Sequence, residues 1–307
     1  MSAVSLGYLE DPFAQSFFPA SLEVPKRYPI INRGTYVRTN GIDKLVLRFL
    51  NTSPDEQKQV ISLGAGSDSR FFRMCAGKHK VAYHELDFES NVAPKRGAIR
   101  NSDRLSRMTL PQEGGSSYHL HALDLRDLTQ KSPPIIPDIA QDAPTLIISE
   151  CCLCYLPPEE TTSVLQYFTM NLKGPLAMVI YEPIRPYDAF GKTMVSNLAS
   201  RGIELRTVKR YFSLDAQRER LRLAGFNTGQ GARDVYEIWT SDDWTPQAER
   251  ERIEKLEWLD EIEEWKLLAS HYCIAWAWRD EWFSQAWKDI DGSRSPSERQ
   301  DDEALTG

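Results

Sequence analysis

"ISLGAGSDSR", residues Ile61 to Arg70, is the stretch on which the fold and the ligand turn. It runs from β-like apolar residues into Gly64-x-Gly66, then into polar residues suited to open a helix. In an open α/β sheet such a turn ends a strand, and its missing side chains let a ligand approach the backbone. A dinucleotide fingerprint would place a third glycine at position 69, where Ser69 stands instead. Asp68, at the expected helix start, would repel a pyrophosphate. A nucleoside that carries a sulfonium and an amino acid has no phosphate to place and tolerates that acid.

The surrounding sequence supplies the rest of such a sheet. Strands are expected over 59–65, 80–88, 117–125, 144–153 and 176–184, with helices over 67–77 and 157–172. "PTLIISECCL" (144–153) is apolar throughout, as in a sheet covered on both faces. The β-α-β-α rhythm predicts an α/β fold with a doubly wound, mostly parallel sheet and right-handed crossovers. "DVYEIW" (234–239) and "HYCIAWAWR" (271–279) read as two late strands that bring the total to seven, with an antiparallel member allowed. Between them "PQAERERIEKLEWLDEIEEWKLLAS" (246–270) reads as one acidic amphipathic helix. Residues 1–58 break the rhythm. With a helical "NGIDKLVLRFLN" (40–51), they suggest an N-terminal cap over the sheet edge.

Four successive strands end in glycine or an acid, and the repetition tells more than any one motif. After Gly64 and Gly66 comes Asp87, 21 residues beyond Gly66, where a carboxylate can accept both ribose hydroxyls. Asp124 and Leu125 in "ALDL" offer a carboxylate and a backbone N–H to an adenine edge. Glu150 ends the fourth strand and can flank the amino-acid end of the ligand.

Composition narrows the partners. A formal net charge of -7 argues against general nucleic-acid binding, and no apolar run is long enough to span a bilayer. The N-terminus lacks the pattern of a signal peptide. Five cysteines do not suggest a disulfide framework, which favours a cytoplasmic setting. Cys151, Cys152 and Cys154 lack the spacing of a zinc site and read as buried strand-end residues, so no metal is expected. The basic insert 91–115 contains Lys95, Arg96, Arg100, Arg104 and Arg107 and reads as a solvated face. The tail from 289 to 307 reads as disordered, and the domain itself as 59–288.

At this point the residues become a family pattern. "INRGTYVRTNGID", "VISLGAGSDSRFF", "HELDF", "ALDLRDL", "TLIISECCLCYLPPE", "IYEPI" and "KLEWLDEIEEWKLLASHYCIAWA" follow one another as in leucine carboxyl methyltransferases, and the chain resembles that family from about Gly7 to about Trp278. The resemblance implies a class I S-adenosylmethionine-dependent methyltransferase with a Rossmann-like, seven-stranded sheet. It implies S-adenosylmethionine as donor and S-adenosylhomocysteine as product. The substrate it implies is the C-terminal leucine carboxylate of the protein phosphatase 2A catalytic subunit; composition leaves no nucleic acid and no membrane among the expected partners, and a monomer is expected. Carried over by position, cofactor contacts fall on Arg38, Gly64, Asp87, Asp124, Leu125 and Glu150, joining Gly66 as read from the turn itself, with Arg38 and Tyr155 beside the reacting groups. Family members carry a lysine before the position where this chain begins, and Lys26 is one cation that could take its place.

A C-terminal carboxylate has a pKa near 3.5 and is ionised at neutral pH, so no histidine need act as base. Proximity and desolvation are what such an enzyme supplies. Arg38 can hold the carboxylate with its fork of donors, unless it pairs with Asp43, and Tyr155 can donate a hydroxyl hydrogen bond. Arg33 is a weaker candidate for the substrate tail. The region 188–212 and the basic insert are candidate docking surfaces. Two alternatives remain open: methyl transfer to a modified tRNA base or small acid, and a non-catalytic cofactor-binding homologue.

Overall fold

The computed structural model describes residues 1–18, 23–110, 115–287, 289–290 and 293–294. Its strands are β1 (Lys58–Leu63), β2 (Val81–Asp87), β3 (Ser117–Ala122), β4 (Thr145–Glu150), β5 (Leu176–Pro183), β6 (Gly229–Asp234), β7 (Tyr272–Trp278) and β8 (Ser293–Arg294). They form one sheet in the order β3-β2-β1-β4-β5-β7-β6-β8. The first five pair in parallel, while β7 runs antiparallel between β5 and β6. The expected α/β fold with a mostly parallel, seven-stranded sheet is therefore present, extended by the two-residue β8. Ser293 and Arg294 are the part of the expected tail that pairs, against β6. Residues 291–292 and 295–307 lie outside the described residues.

Both faces of the sheet are buried, and the alternation of strand side chains divides them. Val60, Leu146, Ile148 and Val179 join one core, and Ile61, Ile147, Met178 and Ile180 join the other. That is why these strands read as continuous apolar runs.

The helices are α1 (Ser2–Ser5), α2 (Pro29–Asn51), α3 (Glu89–Arg100), α4 (Asp103–Thr109), α5 (Pro158–Asn171), α6 (Ala189–Ala199), α7 (Leu214–Leu223), α8 (Val235–Thr240), α9 (Gln247–Glu254), α10 (Ile262–Ser270) and α11 (Glu281–Trp287). Helix α2 starts with Pro29 at its first turn and buries Val37, Ile42, Leu45, Val46, Phe49 and Leu50. It packs against β5, β7, α8, α10 and α11. These strands are interior ones, so the N-terminal segment covers a face of the sheet and not its edge.

Four further expectations need correction. The helix expected over 67–77 shrinks to a five-residue π-helical turn, Phe71–Cys75, in which the Ala76 N–H donates to Phe71 O. "DVYEIW" is helix α8 and not a strand, because Asp234 and Glu237 form a reciprocal capping box. The strand lies just before it in "GQGARD". There Trp278 and Trp276 lie over Gly229 and Gly231 so closely that an added Cβ would come within 2.1 and 2.3 Å of their rings. The stretch 246–270 splits into α9 and α10 around a loop in which Leu256 and Leu259 turn into the core and Trp258 stays 85% exposed. Finally, Lys95 in the basic insert is buried and paired with Glu85.

Candidate functional site

Three hollows meet where β1, β2 and β4 end. The first, about 470 Å³, is lined by Gly64, Gly66, Asp87, Asp124, Leu125 and Tyr155 among others. The second, about 440 Å³, lies on the other side of the glycine turn and is lined by Asp11, Arg38, Asp68, Arg70, Arg73 and Glu150. The third, about 300 Å³, is bounded by Ile30, Ile31, Trp265, Leu268 and Tyr272, with Arg38 and Tyr155 on its wall. Gly64 and Gly66 belong to the first two, Arg38 to the second and third, and Cys151 and Tyr155 to the first and third. Arg38, Gly64, Gly66, Asp87, Asp124, Leu125, Glu150 and Tyr155, singled out from the sequence, each line at least one hollow.

The turn is held open by its backbone. Gly64 and Gly66 have φ of +63° and +52°, which side-chain-bearing residues rarely adopt. At Gly64 an added Cβ would also meet Cys152 Sγ at 2.6 Å, whereas at Gly66 it would meet nothing within 4 Å. Gly66 thus leaves open space for a ligand to reach its backbone. Asp87 braces the turn from the next strand. The Gly66 N–H donates to its Oδ2 at 2.7 Å, and the Phe88 N–H and Asn91 Nδ2 donate to Oδ1 at 2.7 and 2.8 Å. At the far end of the first hollow Asp124 caps a short turn, Leu125–Thr129, and is gripped by the Arg126 guanidinium. That hydrogen bonding lowers its pKa below the usual carboxylate range. An adenine amine at Asp124 would share it with Arg126, a neighbour the sequence reading passed over.

Arg70 is the organising residue the sequence reading missed. Only 2% exposed, it donates to Asp43 Oδ1 at 2.7 Å, Asp68 Oδ2 at 2.8 Å and Glu150 Oε2 at 2.6 Å. One guanidinium so joins α2, the glycine turn and the end of β4. Asp68 is therefore turned towards Arg70, and with no long helix beginning there, the expected repulsion of a pyrophosphate takes a different form. The turn simply lacks a helix N-terminus to receive one.

Arg38 does not pair with Asp43, which is taken by Arg70 and Arg73. Its Nε donates to Glu150 Oε1, and its guanidinium lies 4.7 Å from the centre of the Tyr181 ring. Burial alone would lower the Arg38 pKa, but Glu150 outweighs it and holds it well above the ordinary value. Burial would likewise raise Glu150, yet the two guanidiniums hold it lowered, to about 2. Tyr155 is 44% exposed at the end of a 3-10 turn, Leu153–Tyr155, and partial burial raises its phenol. Two further candidates are placed elsewhere. Arg33 is buried against Trp239 and Trp265, at 4.8 and 5.6 Å from their rings, and Lys26 is exposed and lines none of the three hollows.

These features fit an adenosine-bearing amino acid. The first hollow falls within the range of small-ligand sites, roughly 300 to 1,000 Å³. The second mixes carboxylates and guanidiniums, as a zwitterionic amino-acid end requires. The third is apolar with a cation at its wall.

Comparison with known proteins agrees. Residues 2–169 match the family model for leucine carboxyl methyltransferase. The chain is 46% identical to leucine carboxyl methyltransferase 1 of Aspergillus fumigatus, covering 95% of this chain and 84% of that one. It is 47% identical to the protein of that name from Emericella nidulans, covering 95% and 85%. Among solved structures, a Thermobifida fusca protein provisionally described as a methyltransferase superposes with a TM-score of 0.52 at 12% identity, over 80% of this chain and 83% of that one, a likeness of fold. This chain belongs to the leucine carboxyl methyltransferase family and has the class I methyltransferase fold.

Proposed function

We propose that the protein methylates the C-terminal leucine α-carboxylate of the protein phosphatase 2A catalytic subunit, forming a methyl ester that regulates assembly of the phosphatase holoenzyme. The single observation that carries the reading is the convergence of the three hollows on Arg38, Cys151 and Tyr155. The first receives the nucleoside, the second the amino-acid end and the third the leucine side chain. S-adenosylmethionine, when bound, supplies an electrophilic methyl group on a sulfonium.

The residues of the chain then have separable tasks. Asp87 accepts from the ribose while keeping the Gly66 amide in place. Asp124 and the Leu125 amide meet the adenine. Glu150 and the Arg38 guanidinium bracket the amino-acid end. The Nη groups of Arg38 make no hydrogen bond among the described residues, so they can orient the incoming carboxylate, and Tyr155 donates to it from the other side. The carboxylate arrives ionised and needs no base. The apolar wall of Ile31, Trp265 and Leu268 strips water from it. These contacts orient the nucleophile, since over-stabilising it would slow attack. The reading divides the chain into a cap (1–58), a methyltransferase domain (59–288) and a tail, acting as a monomer in the cytoplasm.

The test is transfer of label from methyl-labelled S-adenosylmethionine to phosphatase 2A with and without its terminal leucine. Label confined to the leucine-bearing form is expected. Label that persists without the leucine, or that passes to tRNA, overturns the substrate. Cofactor binding with no transfer to any acceptor points to a non-catalytic homologue.

A further inference from the structure

In a dinucleotide-binding turn a long helix starts at the glycines and fixes them, whereas here only the short turn Phe71–Cys75 follows. Other groups must hold residues 66–70. Asp87 takes the Gly66 N–H, and Arg70 takes the Asp68 carboxylate. A further hold is Lys95 on α3, only 5% exposed. Its Nζ donates to Asp68 O at 2.7 Å and to Glu85 Oε2 on β2, and it lies 5.3 Å from the centre of the Phe17 ring. Phe17 ends the 3-10 turn Ala14–Phe17 and packs on Phe72 with ring centres 5.4 Å apart, while Asp11 accepts from Ser69 Oγ. One ammonium so joins β2, α3, the glycine turn and the N-terminal segment. Packing does not fix the turn on this side. A hollow of about 480 Å³ borders it, lined by Phe17, Gly66, Ser67, Asn91 and Lys95 among others. Backbone beside open space has room to shift, so its place depends on the hydrogen bonds that reach it.

We propose that Lys95 is a positioning residue for the cofactor: by holding the Asp68 carbonyl towards β2, it keeps the Gly66 backbone where the bound nucleoside needs it. Lys95 lines none of the three hollows of the site, so its effect passes through the turn. Nor is the ion pair arranged to satisfy Glu85 alone. Glu85 Oε1 is buried and has no hydrogen-bond partner among the described residues, while the ammonium directs a donor to the turn. A turn set in advance lets the ligand bind without ordering it, which favours affinity. Without the Lys95 bond the ligand must order residues 66–70 itself. Binding then weakens, while the groups beside the reacting atoms stay in place.

The effect on affinity rests on the cofactor of the function proposed above, but the hold on the turn is read without any ligand. Two variants of the full chain are compared with the natural protein. Glu85→Gln keeps the size of that side chain and leaves the bond from Lys95 to Asp68. Glu85→Gln combined with Lys95→Met removes the bond without leaving a lone buried carboxylate, which would itself destabilise the fold. In the unliganded double variant, hydrogen exchange at the Ser67, Asp68 and Ser69 amides is expected to rise about 10-fold or more, with β1 and β4 unchanged. Its affinity for S-adenosylhomocysteine by calorimetry should fall about 10-fold or more, while Glu85→Gln stays within about three-fold of the natural protein. In transfer assays the double variant should raise KM for S-adenosylmethionine and keep kcat within about three-fold. Unchanged exchange at the turn, unchanged affinity, or a loss confined to kcat overturns the positioning role. An equal loss in Glu85→Gln also overturns it, because the effect then belongs to the ion pair, and a double variant that does not fold makes Lys95 a structural residue. A natural protein that binds no S-adenosylhomocysteine speaks against the proposed function, and exchange at the turn then decides for or against the hold by Lys95.

Discussion

Replacing Glu150 by glutamine keeps the size of the side chain and removes the charge shared by Arg38 and Arg70. The Glu150 pKa falls from 4.5 to about 2 on folding, its side chain is 18% exposed, and at 1.36 kcal/mol per pKa unit the charge stabilises the fold by roughly 3 kcal/mol at neutral pH. Because the folded value lies below the ordinary one, this stabilisation is complete above the ordinary value of 4.5 and fades as pH falls towards 2. At about pH 3.5 the same linkage leaves roughly 2 kcal/mol. Denaturant unfolding of the natural protein and of Glu150→Gln, at matched pH between 7 and 3.5, gives the difference directly. Other carboxylates titrate in both proteins and largely cancel. A gap below about 1 kcal/mol at neutral pH, or one that does not narrow as the solution is acidified, would refute the electrostatic account of this network.

Three further outcomes are expected. Asp87→Ala should weaken S-adenosylhomocysteine binding about 10-fold or more by calorimetry, through the loss of a charge-assisted hydrogen-bond pair, and unchanged affinity would remove Asp87 from the site. Tyr155→Phe should leave cofactor affinity within about two-fold and lower the transfer rate roughly 10-fold, the scale of one lost oriented hydrogen bond; equal losses in both would make Tyr155 a structural residue. Gly231→Ala drives a Cβ to within 2.3 Å of the buried Trp276 ring and should cost about 1–3 kcal/mol of stability by thermal or denaturant unfolding, with cofactor affinity of the folded protein intact.

The parts of this structure that could be read from sequence are those in which one residue type has one physical meaning. The runs around Ile61, Leu146 and Val179 are buried on both faces and announce themselves as parallel strands. Acids at strand ends announced the first hollow, because in such sheets ligands lie beyond those ends. β6 was hidden because Gly229 and Gly231 carry none of the β-forming character of a strand. Their place in the sheet is decided by the tryptophans of β7, some 45 residues away. "DVYEIW" misled in the opposite sense: its Val, Tyr, Ile and Trp favour a strand, while the Asp-x-x-Glu capping box at its start was the signal that prevailed. Arg70 stood in plain view in "ISLGAGSDSR". A charged residue in a polar turn normally reads as solvated, and its burial follows from Asp43 and Glu150, which come to it only in the folded chain.

The single carboxylate held between Arg38 and Arg70 makes the two ligands of the proposed reaction thermodynamically dependent on each other. Arg70 belongs to the glycine turn and Arg38 to the wall of the leucine hollow, and each takes one oxygen of Glu150. A ligand that draws either guanidinium from Glu150 changes what the other can offer its own ligand. Such dependence is reciprocal, so whatever factor cofactor occupancy imposes on leucine binding, the leucine must impose on the cofactor.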